Sequence, residues 1–253
     1  MAGQASLMVK TGFSGFPAEG MQFFRSLARN NRREWFQPRK HIYDEQVKAP
    51  MMDLVTALNS EMMRFGPNYV TEPAKAIYRL YRDTRFSKDK TPYKTHIAAI
   101  FPRRGLVKHE GAGLYFSVSA KEIEVAGGVY MPGPDTLLAI RTHLAERHEQ
   151  FNRIVASRKL RALMGDLQGT QLSRVPKGFR CDHPAADLLR HKQWLFFAML
   201  DPALATTPKL LREIRNRFEV MMPFLDLLNE PLVRAAKHAK VGFESGPAYN
   251  DCR

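Results

Sequence analysis

The fold class is decided by the segment from Gly113 to Tyr130, which reads Gly-Leu-Tyr-Phe-Ser-Val-Ser-Ala-Lys-Glu-Ile-Glu-Val-Ala-Gly-Gly-Val-Tyr. In its first half, apolar residues alternate with Tyr and Ser, which is typical of a strand with one buried face. Ala120 and Lys121 then predict a tight hairpin, so the two halves form an antiparallel pair. The Gly-Gly pair at 127–128 weakens a strand interior and predicts a bulge, with close approach of another backbone or a ligand as the alternative.

The chain on either side of this hairpin has the same strand character. Short stretches rich in aromatic and β-branched residues, separated by turn residues, predict four strands at 77–81, 95–101, 113–119 and 122–130. A fully apolar run at 194–200 predicts a fifth, buried strand.

Helical periodicity dominates the two ends of the chain. Pro17 is suited to the first position of a helix, and Asn31 with Glu34 three residues later predicts a capping box at the start of the next. An apolar stripe over 39–65 predicts a long helix that Pro50 divides near Ala49. Further helices are predicted from 134, over 151–167, from a cap at 182–183, and from 207 with a bend or break at 223.

Because strand and helix patterns are segregated along the chain, we predict an α+β fold. Its sheet is antiparallel, has about five strands, and is flanked by helices from the N- and C-terminal parts of the chain. No Gly/Ser-rich or Pro-rich linker interrupts the sequence. We therefore expect one α+β domain at 15–243, between flexible tails at 1–14 and 244–253.

The strongest global property is a net charge of +14, with a pI near 10.0. This excess favours polyanionic partners: nucleic acid, nucleotides, phosphorylated metabolites or an anionic membrane surface. Cys181 and Cys252 are far apart and form neither a disulfide framework nor a metal-binding spacing. No apolar run is long enough to span a bilayer, and no export signal is evident, so we expect a cytoplasmic protein.

The most unusual segment chemically is the basic run, residues Arg79 to Lys94, which contains six basic and only two acidic side chains. Its second half has the composition of a turn, where free backbone N–H groups beside fixed positive charge form a phosphate or carboxylate site. The predicted binding residues are Arg79, Arg82, Asp83, Arg85, Ser87, Lys88, Lys90, Tyr93 and Lys94, with Asp182 and His183 as companions from a helix start. The alternative is a structural or protein-interaction module, in which Asp83 and its neighbouring arginines form an internal ion-pair network without a ligand.

Recognisable catalytic motifs are missing from the sequence. It contains no Walker loop, no G-x-G-x-x-G and no H-E-x-x-H, and it predicts no cofactor and no metal site. It identifies neither a reaction nor a protein partner. The expected partner is a phosphate-bearing ligand or nucleic acid, and we expect Arg85→Glu and Lys90→Glu to weaken its binding more than reversal at Arg212 or Arg215 does.

The run from Arg82 to His96, Arg-Asp-Thr-Arg-Phe-Ser-Lys-Asp-Lys-Thr-Pro-Tyr-Lys-Thr-His, resembles the signature of a largely bacterial family known as domain of unknown function 2461. Three further pieces match in the same order: Phe-Phe at 23–24 with Asn-Asn-Arg-Arg-Glu-Trp-Phe at 30–36, Gly-Gly-Val-Tyr-Met-Pro at 127–132, and Pro-Lys-Gly-Phe at 176–179 with Asp-His-Pro at 182–184. The resemblance spans roughly residues 16 to 230. It implies a family but no activity and no catalytic residue, because that family has no assigned function.

Overall fold

The computed structural model describes residues 12–244, with side chains described as far as residue 237. Within these residues the sheet has four strands: β1 (His96–Pro102), β2 (Gly113–Ser119), β3 (Ile123–Val129) and β4 (Trp194–Leu200). They lie in the order β1-β2-β3-β4, and each pairs antiparallel with the next. The α+β prediction is confirmed, with one strand fewer than the five expected.

The strand predicted at 77–81 is wrong. Only two isolated bridges form there, Ile77 with Ala99 and Tyr81 with Tyr93. Ile77 and Tyr81 are four residues apart, whereas their partners Ala99 and Tyr93 are six apart, so the register shifts by two residues between the bridges. A ladder cannot continue through such a shift, and Lys94 is left at the point where the two segments separate.

The bulge predicted at Gly127 and Gly128 is also wrong, because β3 pairs with β4 without interruption. The pair instead permits close approach on two sides. A Cβ at Gly128, where φ is +133°, would collide with the carbonyl oxygen of Trp194 in β4. A Cβ at Gly127 would lie 2.8 Å from the sulfur of Met221. Gly128 therefore requires glycine, whereas a Cβ at Gly127 would need only the end of the Met221 side chain to move.

Ten α-helices occur in the described part of the chain. They are α1 (Ala18–Arg29), α2 (Arg33–Phe36), α3 (Lys40–Tyr43), α4 (Ala49–Phe65), α5 (Pro73–Ala76), α6 (Pro134–Glu146), α7 (His148–Val155), α8 (Arg158–Met164), α9 (Ala186–Leu189) and α10 (Lys209–Glu244). Short 3₁₀ turns lie at Gln37–Arg39, Pro67–Tyr69 and Pro202–Thr206, and a π turn lies at Asp44–Lys48.

The division predicted near Ala49 is confirmed, because the π turn ends at Lys48 and α4 begins at Ala49. Pro50 then occupies the first turn of α4, directly after the π turn, and has no N–H to donate to that turn. The sequence predicts a bend or a break at Pro223. The break is wrong, since α10 continues through both Pro223 and Pro231, and the bend stays a prediction.

The core lies between the sheet and α10. The buried side of α10 presents Leu210, Ile214, Phe218, Met221, Phe224, Leu225 and Leu228. These residues belong to one apolar cluster that also includes α1, α4 and the inward-facing residues of β1 to β4. Phe13, in the predicted N-terminal tail, is only 7% exposed and packs edge-on against Phe16. The remaining tail predictions, 1–11 and 245–253, lie outside the described residues.

Candidate functional site

The basic run forms an irregular hairpin against the β1 edge of the sheet. Its arms are joined by backbone bonds of 2.9 Å from Arg82 N–H to the Pro92 carbonyl and from Lys94 N–H to the Leu80 carbonyl. Beyond these bonds the chain makes an excursion, which we call the tip, residues 83–91. Because the tip pairs with no strand, its shape depends on its own side chains.

Those side chains make a compact polar network. The carboxylate of Asp83 accepts two bonds from the Arg85 guanidinium, at 3.0 and 2.7 Å, and one from the Arg85 backbone N–H at 3.2 Å. The Lys90 ammonium donates to the Thr84 carbonyl at 2.9 Å. The Asp83 bonds fix the start of the tip and the Lys90 bond connects its end to its start, as the alternative prediction of an internal network expects.

The second acid of the tip is held in the same way. Arg82 donates to Asp89 and to the Thr91 hydroxyl, and the Thr91 N–H donates to Asp89 at 2.9 Å. The bond from Arg82 and those from Thr91 lower the pKa of Asp89 to about 2, and the Arg85 bonds lower the pKa of Asp83 to about 2. Both carboxylates are therefore ionised and already paired.

Four cations of the basic run have no carboxylate partner among the residues that the structure describes: Arg79, Lys88, Lys90 and Lys94. Lys90 donates to the Thr84 carbonyl, which leaves Arg79, Lys88 and Lys94. Lys94 is the most constrained of them, because its ammonium lies 4.9 Å from the centre of the Tyr78 ring. Partial burial, with a smaller contribution from Arg79, lowers the pKa of Lys94. A half-buried ammonium that lacks a counter-ion is stabilised when an anion binds.

An open cleft of about 650 Å³ lies beside the tip. Its lining residues are Ala28, Asn31, Arg82, Asp83, Asp89, Thr91, Tyr93, Lys94, Thr95 and His96. Of the predicted binding residues, the structure brings Arg82, Asp83, Tyr93 and Lys94 together here. Arg79, Arg85, Ser87, Lys88 and Lys90 belong to the same hairpin but do not line the cleft.

Asn31 is a cleft residue that sequence reasoning assigned to another role. The predicted capping box does not form, because α2 has Arg32 at its N-cap and no side-chain cap bond. The Asn31 amide instead donates to the Tyr93 carbonyl at 2.8 Å and accepts from the Tyr93 N–H at 3.0 Å. It therefore fixes one wall of the cleft to the segment after α1. Nothing in the local pattern around Asn31 indicates a partner 62 residues away.

His96 is the second cleft residue that the sequence did not identify, although it is the last residue of the family-like run from Arg82 to His96. Burial lowers its pKa, with a smaller contribution from Lys94, whereas Glu122 acts in the opposite direction. The imidazole is therefore neutral near pH 7. An anion beside it would favour the protonated form.

Asp182 and His183 do not join this site. Asp182 pairs with Arg180 at 2.9 and 2.7 Å, and the His183 ring packs edge-on against His148 at the start of α7. The helix predicted at Pro184 begins only at Ala186 and has four residues. His183 instead accepts a 3.0 Å bond from the Ala185 N–H in the preceding turn. No contact links either residue to the basic run within the described part of the chain.

The family model described as "Conserved hypothetical protein (DUF2461)" matches residues 19–227. The chain belongs to this family. No match was found among curated proteins or solved structures.

Residues 12–244, the described part of the chain, contain no cluster of three or more His, Cys, Asp or Glu side chains suited to a metal ion. Nor does any helix there combine the length and apolar character that crossing a membrane requires.

Proposed function

We propose that this protein binds a phosphate-bearing ligand in the cleft beside the basic run. The observation that carries the proposal is Lys94, a half-buried cation that lines the cleft and has no carboxylate partner among the described residues. The two acids that line the cleft do not compete for it, because Arg82 and Arg85 already neutralise them.

The cleft offers several donors to an anion. They are the Lys94 ammonium, the N–H groups of Arg82 not used by Asp89 and Thr91, and the Thr95 hydroxyl. Hydrogen bonds to charged groups contribute about 1.5–3 kcal/mol each, so two or three of them suffice for measurable affinity. His96 adds charge when it is protonated.

A cytoplasmic location and a bacterial origin belong to the same proposal. The thiol of Cys181 is exposed and forms no disulfide within the described residues, which suits a reducing compartment. Phosphorylated metabolites, nucleotides and nucleic acids are abundant there, and the net charge of +14 favours all of them.

A second candidate function is a structural or protein-interaction module, and the tip network favours it. Every acid of the basic run pairs within the run, so the hairpin holds its shape without a ligand. In that case the cations without partners are only solvated.

Lys94→Gln separates the two candidates, because Lys94 is outside the tip network. Its matched control is Lys159→Gln, an exposed lysine in α8. Inorganic phosphate and ATP would be titrated into each variant by calorimetry, and a thermal melt would measure stability. We expect Lys94→Gln to weaken binding at least about tenfold, the loss of roughly 1.4 kcal/mol that one charged bond contributes. Its melting temperature should not fall, because the substitution removes an uncompensated charge.

A lower melting temperature of Lys94→Gln with unchanged phosphate binding would support the structural module. No phosphate binding by the wild type, or equal binding by Lys94→Gln and Lys159→Gln, would remove the cleft as a site. Charge reversal provides a second comparison, in which the loss of phosphate binding caused by Lys90→Glu is measured against that caused by Arg212→Glu. Arg212 is the better control because Arg215 pairs with Glu219 and Glu61.

A further inference from the structure

We infer that the phosphate-bearing ligand is a single-stranded nucleic acid, that Phe86 stacks on one of its bases, and that Lys108 contacts its backbone. This inference rests on the proposed function, because it assigns the class of ligand that enters the same cleft. It is drawn from two features that adjoin the cleft.

The first feature is Phe86, whose side chain is 94% exposed in the middle of the tip. Asp83 and Asp89, on either side of it in the chain, both line the cleft. The Arg85 guanidinium lies 5.7 Å from the centre of the Phe86 ring and is itself held by Asp83. The ring is thus presented to solvent beside a proposed phosphate site.

The tip holds Phe86 in place without burying it. Two bonds connect the two ends of the tip, one from Lys90 to Thr84 and one from Arg82 to Asp89. A third, from Arg85 to Asp83, fixes the residues just before Phe86. A pre-ordered loop loses little conformational entropy when a ligand binds. An exposed aromatic face of this kind accepts any base, since every base has a π face.

The second feature is a pair of lysines that share one aromatic ring. The ammonium groups of Lys94 and Lys108 lie 4.9 and 5.0 Å from the centre of the Tyr78 ring. His109 stacks on the same ring at 6.2 Å and has a positive φ of 75°. Neither lysine has a carboxylate partner among the residues that the structure describes.

Lys94 connects the two features, because it lines the cleft and also contacts Tyr78. Positive charge therefore continues from the cleft past the Tyr78 ring to Lys108. A ligand that contacts the cleft, Lys108 and Phe86 together presents phosphates to the cations and an unpaired base to the ring. A single strand provides both, whereas the bases of a duplex are already stacked on one another.

An anionic membrane surface is the competing ligand for a basic, aromatic loop. The position of the cations favours nucleic acid, because Lys94 and Arg82 line a cleft, whereas Phe86 is exposed outside its lining. A flat bilayer reaches the tip but does not reach cations inside the cleft.

The test measures fluorescence anisotropy with labelled oligothymidylates of increasing length, at several salt concentrations. Phe86→Ala is compared with Leu138→Ala, an exposed apolar residue of α6. We expect Phe86→Ala to weaken oligonucleotide binding about 5- to 150-fold, the range for removing one stacked base, and Leu138→Ala to leave it unchanged. Affinity for inorganic phosphate should be the same in both variants.

The lysine pair is tested by Lys108→Glu against Lys159→Glu. We expect only Lys108→Glu to make the dependence of log affinity on log salt shallower, by roughly 0.7 for each lost phosphate contact of a single strand. Affinity should also rise with oligonucleotide length above that of a mononucleotide.

Different results would overturn the phosphate site and the assignment of its ligand as a nucleic acid. If phosphate binding depends on Lys94 but neither Phe86→Ala nor Lys108→Glu affects oligonucleotide binding, the nucleic-acid assignment is overturned and the phosphate site remains. If Lys94→Gln changes neither phosphate nor oligonucleotide binding, the proposed function itself fails. Binding to phosphatidylserine vesicles that Phe86→Ala abolishes, with no effect on oligonucleotides, would identify a membrane-binding tip instead.

Discussion

Asn31→Ala tests whether the cleft wall is held by the Asn31 side chain, whose amide bonds to the Tyr93 backbone as a neighbouring strand would. The Asn31 amide makes two hydrogen bonds to the Tyr93 backbone, at 2.8 and 3.0 Å. Alanine removes both and leaves a partly buried N–H and carbonyl without protein partners. At a net 0.5–1.5 kcal/mol for each bond, the loss is about 1–3 kcal/mol. For a chain of this size, that lowers the Tm by roughly 2–12 °C.

The chain supplies a matched control in Asn59. Its amide donates to the Thr71 carbonyl at 2.7 Å and accepts from the Thr71 N–H at 3.2 Å, the same two-bond arrangement outside the cleft. We expect Asn59→Ala and Asn31→Ala to be destabilised similarly. Only Asn31→Ala should also weaken phosphate binding, because Asn31 lines the cleft and fixes Tyr93 next to Lys94.

Thermal melts followed by circular dichroism measure the first effect, and calorimetric titration of phosphate measures the second. An unchanged Tm for Asn31→Ala beside a clear loss for Asn59→Ala would refute the reasoning, because the Tyr93 backbone would then be satisfied without Asn31. Equal loss of binding in both variants would show that binding follows global stability and not the geometry of the cleft.

Three further predictions concern pH and packing. Asp89→Asn should remove the stability that the pairing of Asp89 with Arg82 provides. The folded pKa of Asp89, about 2, is below the unfolded value of 3.8, so this contribution is complete above about pH 4 and disappears as the pH falls through 2. The stabilities of variant and wild type in urea unfolding should therefore converge near pH 2. His96→Gln should abolish the strengthening of sulfate binding that we expect in titrations from pH 8 to pH 6, because an anion favours the protonated imidazole and sulfate itself does not titrate there. Gly128→Ala should cost about 3 kcal/mol or more in urea unfolding, because its Cβ meets the Trp194 carbonyl at a positive φ; a smaller loss would mean that β4 moves aside.

The sequence alone determined the elements whose pattern is local. The strands at 113–119 and 194–200 have the predicted bounds because alternation, or an unbroken apolar run, records which faces are buried. The start of α4 at Ala49 also follows from local chemistry, since Pro50 has no N–H to donate to the turn before it. Together with the segregation of strands and helices, these patterns were sufficient for the α+β class.

Only the tertiary structure decided how the polar groups are paired. Asn31 has the sequence context of a helix cap, yet its amide bonds to Tyr93, 62 residues away. Residues 77–81 have strand composition, yet the register shift against 93–99 leaves only two bridges. Asp182 and His183 are adjacent to a proline as a helix cap would be, yet they lie apart from the basic run. Burial of apolar faces is a property of the local pattern, whereas a hydrogen-bond partner depends on which distant group packing brings within 3 Å or so. For that reason the sequence indicated the basic run, and the fold alone selected Arg82, Lys94, Asn31 and His96 from around it.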